Sequence, residues 1–112
     1  MNVVNDESET IWDEVVAFGL PGKLLLVGLT FGGADGTPER QEQFWGRVKT
    51  VDRNAGISLT LKGSRDGEVF TLPPDTRPIH AAPPGEYRLR STAEVVVNPD
   101  YTVTFFIEKG DS

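Results

Sequence analysis

The stretch Phe44–Gly63, FWGRVKTVDRNAGISLTLKG, decides the fold of this chain. Its first part predicts a strand over Phe44–Val51, in which Gly46 marks a position where the strand can bend. The run DRNAG (52–56) predicts a tight turn, because Asp and Asn side chains bond nearby backbone and Gly accepts a positive φ. The segment Ile57–Lys62 alternates apolar and polar residues and predicts the second strand of an antiparallel hairpin.

The same alternation extends on both sides of this hairpin. Lys23–Phe31 (KLLLVGLTF) predicts a strand that is apolar on both faces, which is typical of a central or covered strand. The polar, Gly-rich run Gly32–Gln43 predicts a loop between this strand and the hairpin. On the other side, the Asp-Gly pair in SRDG (64–67) predicts a further hairpin turn, and Glu68–Leu72 a fourth strand.

The C-terminal part predicts two more strands. Five prolines lie within Pro73–Pro84, and we expect this stretch to cross the surface as extended or polyproline-like chain. Alternation then resumes over Tyr87–Val97 and predicts a strand. A turn at NPDY (98–101) leads to a last hairpin strand through Val103, Phe105 and Ile107.

Before the first strand, the spacing of apolar residues predicts a helix over Ser8–Phe18, with Ser8 as N-cap and a stop at Gly19 and Pro21. A strand is the competing interpretation, since several residues are β-branched or aromatic. We expect one face of the helix to cover the sheet. That face carries Ile11, Trp12, Val15, Val16 and Phe18.

Length and composition set limits on the class of protein. The 112 residues suffice for a single domain, 1–112, and we expect flexible termini at 1–7 and 109–112. There is no cysteine, and the acidic start, MNVVNDESET, does not have the pattern of a secretory signal. The longest apolar run, Leu24–Val27, is far shorter than the ~20 residues of a membrane span. We therefore expect no membrane association and a cytoplasmic location.

The segment around the opening hairpin resembles the first motif of the Sm and Sm-like family. The matching positions are Gly46, Val48, Val51, Asp52, Ala55, Ile57 and Leu59. The resemblance covers about residues 8–72 and implies a small antiparallel SH3-like or Sm-like barrel of about six strands with one short N-terminal helix. Family members form rings through a strand edge, which would make self-association the expected behaviour. The Asn with which they read a base is Gly56 here, and their second motif has no match.

Two sets of residues are candidates for binding. A basic and aromatic face could bind RNA or single-stranded nucleic acid, although the net charge of −6 opposes such binding. Asp52, Arg53 and Asn54 could line a small ligand pocket, as the resemblance implies for Asp52, or could serve only as turn residues. The basic and aromatic face could equally be an ordinary solvated face. It comprises Phe44, Trp45, Arg47, Lys49 and Arg53.

Enzyme chemistry finds little support in the sequence. His80 is the only histidine, and with no cysteine most zinc sites cannot form. No nucleophile motif and no phosphate-binding glycine loop are present. We therefore predict a non-enzymatic protein with no metal and no cofactor.

The predicted function is a β-barrel binding module that takes a protein partner, or copies of itself, through strand edges. Val96 and Phe106, placed on the outer side of the last hairpin, are the candidate interface residues. Nucleic-acid binding is the alternative. A third interpretation is an acidic inhibitor of a basic partner.

Overall fold

The computed structural model describes residues 11–90 and 92–108, and this part of the chain is mainly β. The predicted flexible termini, 1–7 and 109–112, lie outside it, as does the predicted N-cap Ser8. A single turn of 3-10 helix occupies Gly63–Arg65. The described elements are α1 (Glu14–Phe18), β1 (Leu24–Gly32), β2 (Pro38–Asp52), β3 (Gly56–Leu61), β4 (Val69–Leu72), β5 (Ile79–Ala81), β6 (Glu86–Arg88), β7 (Val95–Val97) and β8 (Tyr101–Glu108).

Six of these strands form one sheet in the order β4-β3-β2-β1-β8-β5, and β6 pairs with β7 in a separate hairpin. The sheet is mixed: β1 and β8 run parallel, from Leu25 opposite Tyr101 to Gly32 opposite Glu108. The prediction of antiparallel pairing throughout is wrong at this pair. Local sequence fixes the direction of two strands joined by a short turn, whereas β1 and β8 are separated by most of the chain.

The predicted barrel is not closed. Within the described residues, β4 and β5 form the two edges of the sheet, and no hydrogen-bonded ladder joins one to the other. The segment 73–78 connects these edges, and the proline-rich stretch also contains β5, which pairs with β8. The stretch is therefore partly strand and not only a surface crossing.

One face of the sheet supplies most of the core. Residues spaced by two along β1 and β3 are buried there, among them Leu25, Val27, Ile57 and Leu59, as their alternation predicts. The opposite face of β1 is only half-buried. The N-terminal segment closes one side of the core with Trp12, Ala17 and Leu20.

Within the described part of the predicted helix, Ile11 is helical, the helix is interrupted at Trp12 and Asp13, and α1 presents a different face. Asp13 is its N-cap, with Oδ1 accepting hydrogen bonds from the backbone N–H groups of Val15 and Val16, and Gly19 ends it as predicted. Ala17 is buried, while Val15 and Phe18 are 82% and 87% exposed. The expected apolar face is therefore wrong at these two residues.

The reason for this orientation is a clamp formed by Thr76, which is buried. Its backbone N–H and its hydroxyl both donate to the carbonyl oxygen of Ile11, at 2.8 and 3.1 Å. The same hydroxyl accepts from the backbone N–H of Asp13 at 2.8 Å. These bonds hold Asp13 in an extended conformation ahead of α1 and fix which side of the short helix meets the core.

Two further boundaries differ from expectation. The predicted loop 32–43 is strand for much of its length, because β2 begins at Pro38 and pairs along the whole of β1. Tyr87–Val97 is not one strand but the hairpin of β6 and β7, with Ala93 at a positive φ in its turn. The change of direction places this segment beside the sheet. Strand β8 therefore does not form the predicted hairpin with it, and pairs with β1 and β5.

The β6–β7 hairpin is attached to the outer face of the sheet. The backbone N–H of Arg90 donates to Oε1 of Gln43 at 2.6 Å, and Oε2 of Glu94 accepts from the backbone N–H of Ser64 at 2.6 Å. Leu89 and Val96 of this segment are each 1% exposed. The prediction of Val96 as an exposed interface residue is therefore wrong.

Candidate functional site

The basic and aromatic residues do not form a single surface. Phe44 lies in the core with 2% of its surface exposed, and its ring centroid is 5.0 Å from that of Phe70. The guanidinium of Arg65 lies 4.8 Å from the Phe44 ring centroid. A ring enclosed in this way cannot stack on a base, so Phe44 is a core residue and not part of a binding face.

Trp45, Arg47 and Lys49 alternate onto the outer face of β2, but their surroundings differ. Trp45 is half-buried, and its indole N–H is shielded from solvent with no hydrogen-bond partner among the described residues. Arg47 donates from Nη1 to the carbonyl oxygen of Gly22 at 2.9 Å, which ties β2 to the chain ahead of β1. Lys49 is exposed. These three residues therefore lie on one face of β2, but their surroundings do not form a common binding surface.

Asp52 closes the turn between β2 and β3. Its Oδ1 accepts from the backbone N–H groups of Asn54 and Ala55, at 2.7 and 2.9 Å. The bond from Ala55, followed by that from Asn54, lowers the pKa of the Asp52 carboxyl. The side chain thus has the role that Asp favours in turns.

The lowered pKa of Asp52 predicts a pH-dependent contribution to stability. A carboxyl whose pKa is lower in the folded state stabilises the fold above its unfolded pKa, and loses this contribution as pH falls through the folded pKa. Asp52→Asn imitates the protonated form, so it should destabilise the protein at neutral pH and have little effect in acid. Urea unfolding of both proteins between pH 7 and strongly acidic pH measures this. Asp66→Asn, which changes an exposed carboxylate outside the turn, is the matched control, and an equal pH profile for the two variants would contradict the prediction.

A groove of about 460 Å³ lies between α1 and the β2–β3 turn. Its apolar lining comprises Trp12, Ala17, Phe18, Pro21 and Val51, and Asp52 lies at its border. At the same border, Nη1 of Arg53 is 3.3 Å from Oε2 of Glu14, and both side chains are more than half exposed. Asn54, the third residue of the predicted pocket, is not part of the lining given by the structure.

The helix carries the most exposed large apolar side chains of the described chain, Val15 and Phe18, and Phe18 also lines the groove. A second cavity, of about 390 Å³, is lined by these two residues and Glu14. The apolar spacing along the predicted helix had placed both residues in the core. The capping ability of Asp13 was the available signal, since an N-cap there begins a helix at Glu14 and changes the face that it buries.

A second candidate surface is the open edge of β8. Strand β5 covers only Tyr101–Val103 of it, so in the described part of the chain Thr104–Glu108 has a strand neighbour on one side, β1. The backbone N–H of Ala82 donates to the carbonyl oxygen of Asp100 at 3.0 Å, one step before the ladder of β5 and β8 begins. Because successive residues direct their backbone groups to opposite sides, the even-numbered residues of β8 face the side of β5. At the open edge these are Thr104, Phe106 and Glu108.

A proline and a glycine shape this edge. Pro78 precedes β5, at the position that would face Thr104, and proline has no N–H with which to extend the ladder. Phe106 is 46% exposed, and its ring rests against buried Gly32, where an added Cβ would lie 2.6 Å from Cζ of the ring. Phe106 is therefore exposed, as predicted, and its ring packs against the backbone of Gly32.

Other chemistry is sparse on the described surface. Nowhere in residues 11–90 and 92–108 do three or more His, Asp or Glu side chains come together in a way that could hold a metal ion. His80 is exposed on β5 opposite Thr102. No helix within the same residues is both long and apolar enough to cross a membrane.

No family model, curated protein or solved structure matches this chain. Its function must therefore be inferred from the two surfaces, the groove beside α1 and the open edge of β8.

Proposed function

We propose that this protein is a non-enzymatic binding module that accepts an extended segment of a partner protein as an additional strand on the open edge of β8. The observation that supports this is the end of β5 pairing at Val103, which leaves five residues of β8 without a strand neighbour on that side in the described chain. Strand addition of this kind obtains affinity from main-chain hydrogen bonds and specificity from alternate side chains.

The composition of the edge suits an apolar partner strand. Thr104–Ile107 is uncharged, and Phe106 offers an aromatic surface next to the backbone groups of the edge. Each intermolecular backbone hydrogen bond contributes about 0.5–1.5 kcal/mol net, so a few such bonds need additional apolar burial to give a stable complex. The Phe106 ring is the side chain placed to supply it.

A second sheet edge within the described residues is less suitable. The first part of β2, Pro38–Gln43, pairs with β1 but extends beyond β3, whose ladder with β2 begins at Gly46. It starts with a proline and carries Glu39, Arg40 and Glu42, with Arg40 and Glu42 paired at 3.0 Å. Proline and charged side chains protect sheet edges from pairing with other chains. The contrast favours β8 as the edge that binds.

The test is selection of binding peptides from a random library, followed by hydrogen exchange of the complex. We expect selected peptides to protect the amides of Thr104, Phe106 and Glu108, while those of Phe105 and Ile107, which face β1, change little. Thr104→Pro removes one outward N–H without touching the β1 ladder and should weaken binding about tenfold or more. Thr104→Val, which keeps the N–H, is the matched control and should bind as the original protein does.

Two results would overturn this proposal. One is the absence of any peptide that binds, and the other is protection located away from β8. A parallel titration with single-stranded oligonucleotides at low salt separates the other class of ligand. Binding there that is lost in Lys49→Glu and retained in Thr104→Pro would replace strand addition by nucleic-acid binding.

A further inference from the structure

We infer that the surface formed by α1 and the adjacent groove is a two-fold interface between two copies of this chain. The inference is independent of the proposed function, because it uses the other end of the sheet. The open part of β8 is paired with the Gly28–Gly32 half of β1, whereas the groove lies beside Pro21, ahead of the start of β1. A dimer formed at the groove leaves the edge of β8 accessible.

The shape of the surface is self-complementary. Phe18, which is 87% exposed, projects from the wall of the groove of about 460 Å³, and Val15 on the same helix is 82% exposed. A two-fold axis beside α1 would allow Phe18 of each copy to enter the groove of the other, against Trp12 and Val51. An isologous interface needs such a projection and a recess on the same face, because one patch must fit itself.

The charges at the groove are also self-complementary. Glu14 and Arg53 lie 3.3 Å apart at the border and are both more than half exposed, so each retains accessible surface for a second partner. A two-fold rotation brings Glu14 of one copy towards Arg53 of the other and Arg53 towards Glu14. The exposed ion pair within one copy is worth little on its own, whereas the same groups at the rim of an apolar interface fix its register.

The mixed charges at the groove favour a second copy of the chain as its occupant over a basic or an acidic partner. The lining carries both charge signs, Glu14 and Asp52 against Arg53, and the carboxylate of Asp52 is already bonded to its own turn. A partner of one charge sign would meet a like charge at this border. A copy of the same chain offers the opposite charge at each position.

The first measurement is sedimentation velocity, made in the Thr104→Pro background so that any association through β8 is suppressed. We expect a dimer at about 100 µM. Phe18→Glu should raise the dissociation constant at least about tenfold, because it places a charge in the apolar centre of the interface. Phe18 is mostly exposed in the single copy, so circular dichroism should show an unchanged fold. Lys49→Glu, on the outer face of β2, is a control that should still dimerise.

The second measurement exchanges charges between copies. Glu14→Arg and Arg53→Glu should each abolish the dimer, since each places like charges opposite one another. An equimolar mixture of the two variants should recover a heterodimer, because the arginine introduced in one variant then faces the glutamate introduced in the other. At the second border of that heterodimer, the native Arg53 faces the native Glu14.

If Glu14 and Arg53 interact only within one copy, mixing the two variants should not recover a dimer. A monomer at about 100 µM, or a dimer that survives Phe18→Glu, would overturn the inference.

Discussion

Replacing Gly56 by alanine is expected to destabilise the protein by about 3 kcal/mol or more, because it combines backbone strain with a collision. Gly56 is buried at the start of β3 with φ of +112°, a conformation that residues with a Cβ rarely adopt. An added Cβ would lie 2.1 Å from the carbonyl oxygen of Leu72 on β4, and backbone on a paired strand cannot easily move away. Urea unfolding at neutral pH measures the loss.

Gly67→Ala is the matched control for this experiment. Gly67 has φ of +94°, and an added Cβ there would meet nothing within 4 Å. Gly67→Ala should therefore lower the unfolding free energy only through backbone strain, by about 1 kcal/mol. The difference between the two variants isolates the close contact between β3 and β4, and equal losses would show that this contact is absent.

Replacing Phe44 by alanine is expected to cost about 3–5 kcal/mol of unfolding free energy, as for other buried aromatic residues. The ring is almost fully buried, contacts Phe70 and lies under the Arg65 guanidinium. Its removal leaves a cavity at the centre of β2 and also removes the aromatic face that attracts Arg65. Chemical denaturation followed by circular dichroism provides the measurement.

Phe18→Ala provides the comparison, at a low micromolar concentration at which association is weak. Phe18 is exposed in the single copy, so its removal should change the unfolding free energy by less than about 0.5 kcal/mol. If Phe44 were instead part of a nucleic-acid-binding face, Phe44→Ala would have a small effect on stability and a large effect on binding. A stability loss below about 1 kcal/mol for Phe44→Ala would contradict its position in the core.

The parts of the fold that could be predicted from sequence are those decided by neighbouring residues. Alternation over Ile57–Leu61 and over Leu25–Leu29 predicts buried positions that are buried in the structure. The turn Asp52–Gly56 follows from side-chain bonding to local backbone, and Gly19 ends the helix as expected. Each of these depends on interactions within a few positions along the chain.

The parts that could not be predicted depend on distant residues. The parallel pairing of β1 with β8, and the role of β5 beside it, are decided by how the middle of the chain returns to the sheet. The start of α1 depends on Thr76, more than sixty residues away, which holds Ile11 and Asp13. The burial of Val96 follows from the turn that separates β6 from β7. Both candidate surfaces arise from such long-range contacts, which explains why only Phe106 of the predicted interface pair is exposed.

The position of β8 next to β1 has a consequence for biosynthesis. β1 is central in the sheet, yet one of its two neighbours comes from residues 101–108, so this side of β1 stays open while the ribosome makes the intervening seventy or so residues. A nascent chain in that state displays the largely apolar strand Leu24–Gly32 with its backbone groups unpaired on that side. The open side of β1, the first strand, is thus paired only after β8, the last described strand, has been made. Until then the chain is most exposed to non-native pairing with other polypeptides.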